Sequence, residues 1–146
     1  RSRNYLSEYS VHYDPNEMGD ITKLSPFNLT KDLKGISEIK IQSISEEIAN
    51  ELIKGIERSP NVIVRYWAKL RNAAWVKIKT VDVERNAGKS NGYRCIMLVD
   101  TFNKHAFLLH IYRHGHGEDK NIDKKAENKL KILVEEYSKS LKENNK

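Results

Sequence analysis

Lys77 and Lys79 lie two residues apart in the run Trp75-Val-Lys-Ile-Lys-Thr-Val-Asp82. In an extended chain, side chains at i and i+2 project from one face, so the two ammonium groups share a side. Arg94 opens a second apolar run, and Arg113 closes a third just before His114-Gly-His116-Gly. Neighbouring strands stand about 4.8 Å apart, so these cations would converge within ~10 Å. Arg85 and Lys89 fall in the glycine-containing stretch Glu84–Gly92, where backbone amides can also approach phosphate. Cations converging beside histidine suit metal-free cleavage of RNA. A base takes the 2′-hydroxyl proton, cations stabilise the charge gathering on phosphorus, and an acid protonates the leaving 5′-oxygen. Histidine serves in either role. A lysine crowded by other cations can also give up its proton near neutrality.

Other readings attach to the same residues. Alternating lysine is ordinary on a solvent-facing strand and guards sheet edges against aggregation. His110, His114 and His116 form H-x-x-x-H-x-H, yet no His-Glu-x-x-His motif or cysteine pair accompanies them, so no metal site is expected. His110, within an apolar run, reads as a hydrogen-bonded core histidine, and His105 as a strand-end surface residue. Tyr66, Trp67 and Trp75 read as core aromatics before stacking platforms.

The net charge of +6 is concentrated. Residues 62–94 carry 8 basic and 2 acidic side chains, and residues 1–61 carry 8 basic and 10 acidic ones. A localised basic segment points to a polyanionic partner, whereas a uniform surplus would bear only on solubility. With 146 residues, 38% of them hydrophobic, the chain has the size of one domain and is too apolar for wholesale disorder. No apolar run approaches the roughly 18–20 residues of a membrane-spanning helix, and no secretory signal is visible. A single cysteine, Cys95, excludes an internal disulfide and leaves a reducing, cytoplasmic setting as the expectation.

The elements that must position these cations are read from periodicity. Asn4–Tyr13 alternates like a strand and stops at Asp14-Pro15-Asn16; residues 16–42 are irregular, with room for one short helix. Ser43-Ile-Ser-Glu46 fits a capping box ahead of Ile48, Leu52 and Ile56. Ser59-Pro60 predicts a second helix with Ile63, Trp67, Leu70 and Ala74 on its buried side, completing a helical hairpin. Strands follow at Trp75–Asp82, Tyr93–Asp100 and His105–Arg113, with a hairpin turn at 100–104 and a mobile loop at 84–92. The last element is an amphipathic helix capped by Asn121 or Asp123, with Ala126, Leu130, Leu133, Val134, Tyr137 and Leu141 on one face. The expected fold is α+β: a small, mainly antiparallel sheet packed against an N-terminal helical hairpin and a C-terminal helix. It forms one domain over 1–146, with a poorly readable beginning at 1–42, a core at 43–141 and a frayed tail at 142–146.

In this order, Trp75-Val-Lys-Ile-Lys79, Gly88-Lys-Ser-Asn-Gly-Tyr-Arg94, Phe107-Leu-Leu-His-Ile-Tyr-Arg113 and Glu118-Asp-Lys-Asn-Ile122 resemble the RelE/ParE superfamily of toxin–antitoxin toxins, most of all its RelE/HigB branch. The likeness covers roughly residues 46–141. It implies a RelE-like fold and a ribosome-dependent mRNA endonuclease that needs no cofactor, inhibits translation and is neutralised by a protein antitoxin. Lys77, Lys79, Arg94, Arg113 and His114 would then be catalytic, with Arg71, Arg85, Lys89, Tyr93 and His116 contacting RNA. His116 has no clear counterpart in the family, and its role rests on its proximity to Arg113 and His114 alone. The expected partners are mRNA, the ribosome and the antitoxin, with neither a membrane nor a small-molecule cofactor involved. Two other functions share the sequence features: a non-catalytic RNA- or ribosome-binding module, and a gyrase-directed toxin acting through protein contacts.

Overall fold

The computed structural model describes residues 8–81, 92–113 and 122–144. Chain order gives β1 (Ser10–His12), a 3₁₀ turn (Pro15–Glu17), α1 (Asp20–Leu24), α2 (Leu29–Asp32), α3 (Glu38–Ile53), β2 (Val62–Trp67), β3 (Ala73–Thr80), β4 (Tyr93–Asp100), β5 (His105–Arg113) and α4 (Lys124–Asn144). The class is α+β, as expected, with a five-stranded sheet in the order β1-β5-β4-β3-β2. Among the described strands only the β1–β5 pair is parallel.

α3 begins upstream of the expected capping box. Ser37 is the cap, its hydroxyl accepting from the Lys40 amide at 3.1 Å. Ser43-Ile-Ser-Glu46 lies inside the helix, where the Ser45 hydroxyl donates back to the Gln42 carbonyl. The reason is an apolar face that starts earlier, with Ile41, Ile44, Ile48 and Leu52 all buried. Gly55, at φ 111°, adopts the left-handed turn just past the C-cap Lys54.

The predicted second helix of the hairpin is a strand. Apart from Arg65, Val62-Ile-Val-Arg-Tyr-Trp67 is β-branched or aromatic, which favours a pleated surface over a helix. It pairs with β3, Val62 facing Ile78 and Trp67 facing Ala74, with a bulge between Val64 and Tyr66. Ser59 caps nothing helical: its hydroxyl donates to Glu51 and accepts from the Asn61 amide. Ile63 and Leu70, expected inside, are 37% and 52% exposed. The four-residue spacing that imitated a helix is a coincidence within a strand and the following turn, where Arg71 sits at φ 57°.

Both sheet faces are covered. Val76, Ile78, Cys95, Met97 and Leu108 pack with Ile41, Ile44, Ile48 and Leu52 of α3. Trp75, Ile96, Leu98 and Leu109 pack with Leu130, Leu133 and Val134 of α4. β4 lies between β3 and β5 and is buried along its whole length. Asp123 caps α4, its carboxylate accepting from the Ala126 amide at 2.8 Å. Before α3, the 3₁₀ turn capped by Asp14, α1 and α2 occupy what reads as irregular in sequence, and α2 packs on β5. Among the described residues no helix is long and apolar enough to cross a membrane.

Candidate functional site

Three polar side chains line up across the sheet. Lys79 on β3 faces Arg94 on β4, and Arg94 faces Tyr112 on β5. One row further along, Lys77 faces Ile96, and Ile96 faces His110. Alternation puts all of these on the α4 side, because Ile96 belongs to the core that α4 covers. Lys77 and Lys79 are half-buried, whereas Arg94 is only 4% exposed, with Nη1 within 3.5 Å of the Tyr93 carbonyl. Lys77 also lines a cleft of about 250 Å³ with Arg65, Trp75, Ile122 and Glu127. There the Arg65 guanidinium lies 5.8 Å from the Trp75 ring centre and 3.8 Å from the Glu127 carboxylate.

Cations directly opposite on neighbouring strands repel, at a cost of roughly 0.2–1 kcal/mol. An anion brought between Lys79 and Arg94 would meet both charges at once.

Arg113 is not part of this row. It faces Tyr93, a residue of the α3-side core, so it lies on the opposite face from Arg94. Its Nη2 donates to the Tyr93 hydroxyl at 3.0 Å, and the guanidinium lies 4.9 Å from the Tyr93 ring centre. Lys40 approaches the same ring at 5.7 Å. Tyr93 and Arg113 are thus a stacked pair beside α3, and the expected four-cation convergence divides into Lys77, Lys79 and Arg94 on one face and Arg113 on the other. Arg71 is at the far end of β3, about 20 Å from Lys79 by strand rise. There it pairs with Glu57 at 3.5 Å and lies over the Trp67 ring at 4.4 Å. Arg85, Lys89, His114 and His116 lie outside the described residues.

The α4 side of the sheet holds a group that the sequence does not reveal. His110 Nδ1 lies 2.6 Å from Asp32 Oδ2, with both side chains largely buried. The Phe27 ring stacks on the imidazole at 4.3 Å and 5°, and Tyr112 lies 4.9 Å away. Asp32 precedes His110 by 78 positions and stands on the short α2. Only the packing of α2 on β5 joins them, so no spacing rule could have paired them. His110 is the hydrogen-bonded core histidine expected from its apolar run, and its partner is a carboxylate.

Cys95 faces the other core, and burial pushes its thiol up to about 12, which keeps it protonated and inert. Comparison of the chain with protein-family models, curated proteins and solved structures gives no match.

Proposed function

We propose that the protein is a toxin of a type II toxin–antitoxin system that cleaves mRNA without a metal, in the manner of the RelE/HigB branch it resembles. The supporting observation is the Lys79–Arg94 cross-strand pair, extended by Tyr112 on β5 and by Lys77 one row along. Lys79 and Arg94 hold the scissile phosphate and stabilise the negative charge that grows on it during attack by the 2′-oxygen. Their geometry is fixed by a three-strand ladder rather than by a loop, which keeps the charges in place before the substrate arrives. Lys77 extends the positive surface toward the Arg65–Trp75 cleft, where the neighbouring nucleotide would lie. The basic segment 62–94 supplies the attraction toward RNA or the ribosome.

The test is induced expression in cells, with growth and transcript ends followed together. Growth arrest with new transcript ends mapped by primer extension is the expected outcome, lost in the Lys79→Ala, Arg94→Ala double variant. Arrest without any new transcript ends would favour the non-catalytic binding module or the gyrase-directed toxin.

A further inference from the structure

We infer that Asp32 and His110 form the proton-transfer dyad of the Lys79–Arg94 site, with His110 Nε2 as general base and Asp32 as its positioning residue. This inference rests on the function proposed above.

The carboxylate can only accept, so Nδ1 carries the proton toward Asp32 Oδ2, at 2.6 Å. That fixes the tautomer and leaves the Nε2 lone pair on the ring edge away from Asp32. His110 is 6% exposed, and its Nε2 finds no hydrogen-bond partner among the described residues. An enclosed imidazole nitrogen without a partner carries its full desolvation penalty, so most buried polar atoms are paired and an exception asks for an explanation. A structural clamp between α2 and β5 would need Nδ1 alone. A base needs the other nitrogen vacant, on the face where the substrate lies. The His110 ring shares its sheet face and strand with Tyr112, which stands opposite Arg94, one row from the Lys79–Arg94 pair. The groups around the ring are Asp32 from α2, Phe27 from the chain between α1 and α2, Tyr112 on its own strand, and Ile96 across on β4. Lys77 and Lys79 on β3, Arg94 on β4, and Arg65 with Glu127 beyond Lys77 are further charged groups of this face. Entry of a ribose edge requires a local opening beside the ring, and the incoming 2′-hydroxyl then gives Nε2 its hydrogen-bond partner.

In the step itself the 2′-hydroxyl proton passes to Nε2. The 2′-oxygen forms a bond to phosphorus, and the bond from phosphorus to the 5′-oxygen breaks. The leaving oxygen takes a proton from water, and the imidazolium returns its own proton to the hydroxide so formed. Asp32 stabilises the imidazolium between these events without itself becoming protonated, and no other reactant is consumed.

Single-turnover cleavage of mRNA in pre-assembled ribosome complexes by the wild type, His110→Ala, His110→Gln and Asp32→Asn tests this, with RNA affinity and thermal unfolding measured in parallel. The expected loss for His110→Ala and His110→Gln is about 10²–10⁴-fold in rate with affinity unchanged. Asp32→Asn falls between these and the wild type. Added imidazole restores cleavage to His110→Ala, a rescue that a purely structural role would not allow. If His110→Ala does not fold, the rates of the folded His110→Gln and Asp32→Asn decide. Wild-type rates in a folded His110→Gln, or a folded His110→Ala that imidazole leaves inactive, would overturn the dyad while cleavage by the wild type upheld the nuclease. An inactive wild type would remove the nuclease and the dyad together.

Discussion

Lys79 and Arg94 face each other across β3 and β4, two cations held in direct cross-strand register. Like charges directly opposite on neighbouring strands disfavour one another by roughly 0.2–1 kcal/mol, and an anion bound between them offsets this. Replacing Lys79 by Gln should therefore stabilise the ligand-free protein by about 0.2–1 kcal/mol while lowering cleavage. Urea denaturation measures the first part and single-turnover cleavage the second. A destabilised Lys79→Gln would mean that the pair is not frustrated.

Salt sensitivity follows from the number of cations on one face. Lys77, Lys79 and Arg94 share the α4 side, and Arg113 is on the other. Each phosphate contact contributes about −0.7 to the log–log slope of single-strand affinity against salt. Three contacts give a slope of about −2, which Lys77→Ala should make shallower by about 0.7 and Arg71→Ala should leave unchanged. Fluorescence anisotropy across a salt series reads the slopes directly.

Asp100 ties the β4–β5 turn to α4. It is fully buried and accepts from the Phe102 and Asn103 amides and from the Tyr137 hydroxyl, at 2.8–2.9 Å. Asp100→Ala strands these donors and should cost about 2–4 kcal/mol, read from the denaturation midpoint. Tyr137→Phe, which leaves the turn intact, should cost less.

Alkaline stability follows from the phenols. Burial, the hydrogen bond to Asp100 and the charge of Asp100 raise the Tyr137 pKa, and the hydrogen bond to Glu135 raises that of Tyr66. The folded state then holds these protons more tightly than the unfolded chain. Their contribution is complete below the unfolded tyrosine pKa near 10 and is lost as pH rises through the higher folded values. Unfolding midpoints should fall above pH 10, and less steeply in Tyr137→Phe. A midpoint that rises with pH in this range would contradict the assignment.

Cys95 should resist alkylation. With its thiol at about 12 and its side chain buried, iodoacetamide at pH 8 should leave the native protein unmodified and label it fully in denaturant. Mass spectrometry of the two samples distinguishes these states.

β4 and β5 were legible to the residue, because Tyr93–Asp100 and His105–Arg113 are apolar runs bounded by turn formers. The face of α4 was equally clear from its spacing. Val62–Trp67 misled because Ile63, Trp67, Leu70 and Ala74 fall at helical intervals, whereas the β-branched and aromatic content of the run carried the better signal. Lys77, Lys79 and Arg94 could be placed together because all three lie within readable strands. Arg113 could not be assigned a face without the register, since one residue's shift reverses it. The Asp32–His110 contact needed the path of residues 14–36, where short turns leave no periodicity to read.

The central claim is metal-independent attack by the 2′-oxygen at the Lys79–Arg94 pair, and analysis of product ends tests it most directly. Pre-assembled ribosome–mRNA complexes supply the substrate, because ribosomes themselves need magnesium. The account predicts a 2′,3′-cyclic phosphate and a 5′-hydroxyl, with no cleavage when the residue at the cut site is 2′-deoxy. A 5′-phosphate product, or cutting of the 2′-deoxy substrate, would contradict it.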